Sequence, residues 1–182
     1  MFGFRLDLKK YKAYSGKNAF VLFFTQQGLW ALFVYRFYNR IYRSNLPWVI
    51  KRIFVVFGVL SQKWIEICTG ISIPYSAKIG HSFYIGHFGN IIINANSTIG
   101  DNCNISQGVT IGVSGKGERR GVPIIGNNVY IGANATLAGA IIIGDSAVIG
   151  ANSLVINNVS PGTTVLGVPA KQISTNDSKE YI

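Results

Sequence analysis

Only two histidines occur in the 182-residue chain, His81 and His87. His87 stands in "FYIGHFGNIIIN", Phe83 to Asn94, where a beat kept every six residues slips by two. An imidazole titrates near neutral pH, so it can take the proton from a hydroxyl as that oxygen attacks a carbonyl carbon. A donor for the developing oxyanion would complete such a site. His81 follows Gly80 in an unbroken repeat and reads as a wall residue. Two histidines and two scattered cysteines, Cys68 and Cys103, offer no metal-ligand spacing. The cysteines are too few for a disulfide framework and read as buried free thiols of a reducing compartment.

The beat is carried by Ile73, Ile79 and Ile85, then Ile93, Ile99, Ile105 and Ile111, then Ile125, Ile131, Leu137, Ile143, Ile149 and Val155. A step of six is neither helical nor the alternation of a two-sided strand. It is the signature of hexapeptide-repeat parallel β-helices, in which three hexapeptides make one coil. The aliphatic residue should point inward and stack on its equivalent in the next coil. Gly follows many of these positions, at a corner where it would tolerate unusual backbone angles. Asn is frequent just beyond, as in "IGDNCN" and "IGNNVY", which fits tight turns. A sandwich of short strands would alternate instead.

Coils stack only if they match, so extra residues must leave the wall. Two steps are irregular, 85 to 93 and 111 to 125. The second contains "VSGKGERRGVP", Val113 to Pro123, whose Gly, Ser and charged residues read as an exposed loop.

Residues 70–172 resemble the hexapeptide acyltransferases, and within them the serine acetyltransferase branch. The resemblance rests on the repeats, "GHFGNIIIN", "SQGVTIG", the loop before "GVPIIG", the coils of "IGANATLAGAIIIGDSAVIGANSLV" and the closing "GVPAK". It implies an all-β left-handed parallel β-helix (a hexapeptide-repeat solenoid). It also implies a homotrimer with active sites between subunits, and acetyl-CoA as co-substrate. On the family's pattern His87 is the general base. Gly112, Ser114, Gly132, Ala133, Gly150 and Ala151 would let pantetheine approach the backbone, and Lys171 would meet its phosphates. The chain departs from the family on the acceptor side. Ser72 and Gly86 replace two aspartates, and Val122 replaces a second histidine before Pro123. A zwitterion needs paired charges, so the pocket reads as unsuited to free serine. Arg119 and Arg120, with Glu118, remain as loop residues able to contact an acceptor. Asn90, Asn94 or a main-chain carbonyl could orient His87.

The net charge of +10 is uneven: residues 1–63 hold eleven Lys/Arg and one acid, Asp7. The division expected is residues 1–68 as a basic, aromatic helical region, 69–172 as the transferase domain and 173–182 as a polar, frayed tail. Residues 18–43 and 46–68 read as helices. Gln26, Gln27 and Gly28 weaken any reading of the first as a membrane span. No secretory signal is evident, because no small-residue cleavage site follows the apolar stretch. Apolar and aromatic residues flanked by cations fit helices on an anionic membrane surface, with a cap on the solenoid or trimer as the rival. So much Phe and Leu argues against nucleic acid. The expectation is a cytoplasmic O-acetyltransferase, peripheral on the inner face of the cell membrane. Its acceptor would be a sugar hydroxyl of a surface polysaccharide or its precursor. The rivals are serine O-acetylation, in cysteine biosynthesis, and a non-catalytic scaffold.

Overall fold

The structure is a computed structural model and describes residues 2–117 and 120–182. Four helices come first: α1 (Phe2–Ser15), α2 (Ala19–Thr25), α3 (Gln27–Tyr42) and α4 (Trp48–Thr69). Among the described residues fifteen strands follow and fall into three sheets. The first sheet holds β1 (Ile71–Ser72), β4 (Ile91–Ile93), β7 (Thr110–Gly112), β10 (Thr136–Ala138) and β13 (Leu154–Val155). The second holds β2 (Lys78–Ile79), β5 (Thr98–Ile99), β8 (Ile124–Ile125) and β11 (Ile142–Ile143). The third holds β3 (Tyr84–Ile85), β6 (Asn104–Ile105), β9 (Tyr130–Ile131), β12 (Val148–Ile149) and β14 (Thr164–Gly167). To β14 is added β15 (Ala170–Ser174), antiparallel. Every other pairing is parallel, to the strand one coil on.

The stacked aliphatics are those the beat marks. Ile79, Ile99, Ile125 and Ile143 align on one face, and Ile85, Ile105, Ile131, Ile149 and Val165 on another. All are buried. A second inward position, two residues earlier, carries Ala77, Phe83, Ile91, Cys103, Val109, Val129, Ala135 and Ala147. The step of six hides it because its residue types vary.

The corner glycines work differently from the expectation. Among the described residues, neither Gly80, Gly100, Gly126 nor Gly144 has a positive φ. Their neighbours in the next coil lie too close for a side chain instead. A Cβ on Gly100 would stand 2.6 Å from the Gly126 carbonyl oxygen. The left-handed corner residues are Ser82, Asn102, Asn128 and Ser146, two positions further on. Asn adopts that conformation at low cost.

The helices cap the first coil, whose strands would otherwise end in unpaired backbone groups. The Tyr35 hydroxyl donates to the Ala77 carbonyl (2.9 Å) and accepts from the Ile79 N–H (3.1 Å). The Tyr11 hydroxyl does the same for the Ile85 carbonyl and N–H, each at 3.0 Å. Helix α4 ends at Gly70, in the left-handed conformation with φ 65°, and leads directly into β1.

Three expectations are corrected. The sequence 18–43 forms two helices broken at Gln26, and a further helix, α1, precedes them. The tail folds back rather than fraying: Ser178 is buried and the Tyr181 ring lies 4.7 Å from that of Tyr130. Cys103 is buried, where burial pushes its thiol up to about 11, but Cys68 is exposed on α4.

Candidate active site

The first break in the beat forms the turn between β3 and β4. Two extra residues are absorbed by Gly89 (φ 103°) and Asn90 (φ 51°), both left-handed. The turn is fixed on both sides: the Gly108 N–H donates to the Gly89 carbonyl (3.0 Å), and the Ile91 N–H to that of Gly70 (2.9 Å). Position 70 must be small, since a Cβ there would meet the Asn90 nitrogen at 2.9 Å. The displaced turn leaves His87 and Phe88 exposed at its tip.

His87 opens on a cavity of about 520 Å³ between the third sheet, the start of α3 and the folded tail. Its lining includes Gln26, Gln27, Tyr14, Tyr84, Phe88, Asn104, Ser106, Tyr130 and Tyr181. Tyr14 stacks on Tyr84 with ring centroids 4.5 Å apart. Burial, and secondarily Tyr14, pushes the Tyr84 hydroxyl above its ordinary pKa, so it stays a neutral donor. Among the described residues no Asp, Glu, Lys or Arg lines the cavity.

Asn104 is the polar centre of this wall. It is 4 % exposed. Its Nδ2 donates to the Tyr14 hydroxyl (2.9 Å) and the Tyr181 carbonyl (2.6 Å). Its Oδ1 is buried and, among the described residues, has no hydrogen-bond partner. An orphaned acceptor costs on the order of 1–3 kcal/mol, so a ligand hydroxyl or N–H there would be welcome. Sequence reading missed Asn104. The signal available was the column just before the stacked aliphatics of the third sheet, Tyr84, Asn104 and Tyr130, which faces outward.

The residues matched to the donor side divide between two corners. Gly132, Ala133, Gly150 and Ala151 follow β9 and β12, on the same corner edge as His87 after β3. The last coil brings the β14–β15 hairpin to this edge, where the Gly167 N–H donates to Ser153 Oγ (3.2 Å), and Lys171 is exposed on it. Gly112 and Ser114 lie across the first sheet, at its other corner, at the base of the 113–123 loop. Ser114 and Gly121 pair there in an antiparallel bridge, with N···O distances of 3.0 and 3.1 Å. A second cavity, of about 570 Å³, includes Ser114, Gly139 and Asn158 at this corner.

On the acceptor side the structure brings less together. Arg120 is exposed on the loop, away from the His87 cavity, and Arg119 lies outside the described residues. Asn90 and Asn94 do not line that cavity. Asn94 Oδ1 accepts instead from the Asn96 N–H (3.0 Å) in its own turn. Among the described residues neither asparagine bonds the His87 ring. His81 faces a different cavity, with Arg36 and Lys78. Among the described residues no three His, Cys, Asp or Glu side chains cluster as a metal site would need.

Residues 123–157 match the family model "Bacterial transferase hexapeptide (six repeats)". The chain is 34 % identical over 160 residues to the serine acetyltransferase of Helicobacter pylori, covering 88 % of this chain and 89 % of that one. The solved serine acetyltransferase of Brucella abortus superposes with a TM-score of 0.82 at 26 % identity, over 98 % of this chain and 70 % of that one. The Neisseria gonorrhoeae serine acetyltransferase in complex with serine superposes with a TM-score of 0.81 at 30 % identity, over 94 % and 67 %. At 34 % identity over 89 % of the length of one such relative, the chain belongs to the serine acetyltransferase family of hexapeptide-repeat acyltransferases.

Proposed function

We propose that this chain transfers acetyl from acetyl-CoA to a hydroxyl, with His87 as general base. One observation carries the reading: His87 shares a corner edge with Gly132, Ala133, Gly150, Ala151 and the Lys171 hairpin, and opens on an acceptor-sized cavity. From β3 to β14 that edge climbs four ladder steps, about 19 Å, a span suited to an extended pantetheine arm. The imidazole takes the hydroxyl proton while the oxygen attacks the thioester carbonyl. The tetrahedral oxyanion then collapses, the C–S bond breaks, and the thiolate regains the proton from the imidazolium. Gly112, Ser114 and the loop residues Arg119 and Arg120 sit at the opposite corner. They reach a His87 site in a homotrimer of left-handed coils, where one subunit's loop meets its neighbour's edge.

The relatives' names favour serine as the acceptor, and L-serine is the first to try. The cavity lining supports a second reading. Among the described residues it holds no carboxylate for an ammonium and no fixed cation for a carboxylate, but tyrosines, Phe88 and amides. Flat rings and neutral hydrogen-bonding groups suit a sugar hydroxyl of a polysaccharide or its lipid-linked precursor.

The outer side of the helical layer suits the inner face of an anionic membrane. On α4 the residues Val49, Ile53, Phe57, Leu60, Trp64 and Ile67 recur every three or four positions, all exposed, as are Phe20 and Phe24 on α2. Such a continuous apolar stripe asks for a partner. Among the described residues no helix is long and apolar enough to cross a membrane. An interfacial position fits both facts.

The experiment is release of coenzyme A thiol from acetyl-CoA, with L-serine and with a panel of sugars, for the wild type and His87→Ala. Acceptor-dependent release that His87→Ala abolishes supports the proposal. Equal rates in both proteins would sink it.

A further inference from the structure

Away from the His87 cavity, a second cleft of about 440 Å³ opens between the helical layer and the first coil. Arg36, Asn39, Arg40, Arg43, Lys78 and His81 line it, and among the described residues no carboxylate does. Two of these side chains are already committed. The Arg36 guanidinium bonds Asp7 and the carbonyls of Ile79 and Gly80, which neutralises it and makes it a rigid floor. The Asn39 amide donates to the Tyr75 and Ala77 carbonyls at 2.6 and 3.1 Å.

Setting aside His81, which also has an interaction of its own, the cations Arg40, Arg43 and Lys78 remain. All three are exposed, and among the described residues none forms an ion pair. The cleft does not stop with them. An adjoining hollow of about 480 Å³ shares Arg43 and Lys78 and adds the polar side chains of Ser76 and Asn96. Arg43 and Lys78 thus stand between two halves of one groove. The carboxylate of Asp101, one coil on, is turned to the main-chain N–H of His81 rather than to these cations. Neither acid described in the helical layer pairs with them: Asp7 is buried against Arg36, and Glu66 of α4 pairs with Lys63 (3.0 Å).

Uncompensated like charges around a concavity repel, and an anion between them removes that cost. Guanidinium groups bind phosphate oxygens bidentately and an ammonium adds a point charge. We infer that this groove binds a phosphate or diphosphate group, carried either by a soluble molecule or by a lipid head group. The inference does not depend on the acetyl-transfer reading.

Inorganic pyrophosphate is the soluble probe, titrated calorimetrically into the full chain. Vesicles of phosphatidylcholine alone, or mixed with phosphatidic acid, are the lipid probe. The groove variant combines Arg40→Gln, Arg43→Gln and Lys78→Gln. The control removes the same charge elsewhere, by Lys9→Gln, Lys12→Gln and Lys17→Gln. The expected result is saturable pyrophosphate binding, weakened about tenfold or more in the groove variant and little changed in the control. Thermal unfolding and coenzyme A release should match the wild type in both, which separates loss of binding from loss of fold. Pyrophosphate that also displaces the protein from acidic vesicles assigns the groove to head groups. Binding without vesicle retention assigns it to a soluble ligand. No saturable pyrophosphate binding, or equal weakening in both variants, overturns the inference.

Discussion

Asp7 of α1 and Arg36 of α3 meet side by side, Nε to Oδ2 at 2.8 Å and Nη2 to Oδ1 at 3.0 Å, with the Asp7 side chain fully buried. Asp7 Oδ1 also accepts from the Phe83 N–H (2.9 Å). Arg36 Nη1 donates to the Ile79 carbonyl (2.7 Å). One ion pair therefore ties two helices to the open end of the coil. Removing one partner leaves a buried charge alone. Asp7→Ala should lower stability by about 3–5 kcal/mol, read from denaturant unfolding, with Asp7→Asn falling between. A loss within 0.5 kcal/mol of zero would mean the cap does not depend on this pair.

His87 is exposed, so its replacement should spare the fold while removing the base. His87→Ala should cut acceptor-dependent coenzyme A release by about 100-fold or more, with unfolding temperature and acetyl-CoA binding retained. A residual rate near wild type would place the base elsewhere.

Asn104 should act on the acceptor rather than the donor. Replacing it by Leu removes the orphan Oδ1 and the two donated hydrogen bonds that hold Tyr14 and the tail. The acceptor KM should rise about tenfold while the acetyl-CoA KM stays constant. A change in both would mark Asn104 as a support of the whole edge.

Close packing between coils predicts an asymmetry among glycines. In Gly100→Ala the new Cβ would stand 2.6 Å from both Asn127 Oδ1 and the Gly126 carbonyl oxygen, so unfolding should come earlier by about 1–3 kcal/mol. In Gly112→Ala the nearest atom is Thr110 Cγ2 at 3.7 Å, ordinary contact, so stability should hold. Equal effects would mean the coils can separate locally.

Lys10 gives a pH signature. Its Nζ donates to the Asn102 carbonyl (3.0 Å) and Oδ1 (2.7 Å), and burial lowers its pKa from 10.5 to about 8, against smaller opposing effects of Cys103 and Asp7. Between about 8 and 10.5 the unfolded chain binds more protons there, so this group makes stability rise with pH across that window. Comparison of wild type with Lys10→Met from pH 7 to 10.5 isolates it. The difference should move in favour of the wild type as pH rises, and a flat difference would contradict the lowered pKa.

The periodic part of the molecule was written in the sequence. A repeat of six sends each aliphatic residue to the same inward position of a parallel coil. Ile79, Ile105 and Leu137 could therefore be placed before any coordinate, and so could the two steps that must protrude. The turn carrying His87 was legible for the same reason. The role of the corner glycines was not. Whether Gly100 serves an unusual φ or a close neighbour depends on the Gly126 carbonyl twenty-six residues away, which no local pattern records. A helical cap was legible only as a rival to membrane attachment, and the contacts that make it were hidden. Tyr11 and Tyr35 look like any amphipathic helix residues until their hydroxyls meet the strand edges of the first coil. Asn104 became a candidate only when α1 and the tail folded over it and left one oxygen unpaired. Sequence fixes what repeats at short range. Tertiary structure alone decides which distant groups close the ends of the coil and wall the cavity, because those contacts join segments with no common period.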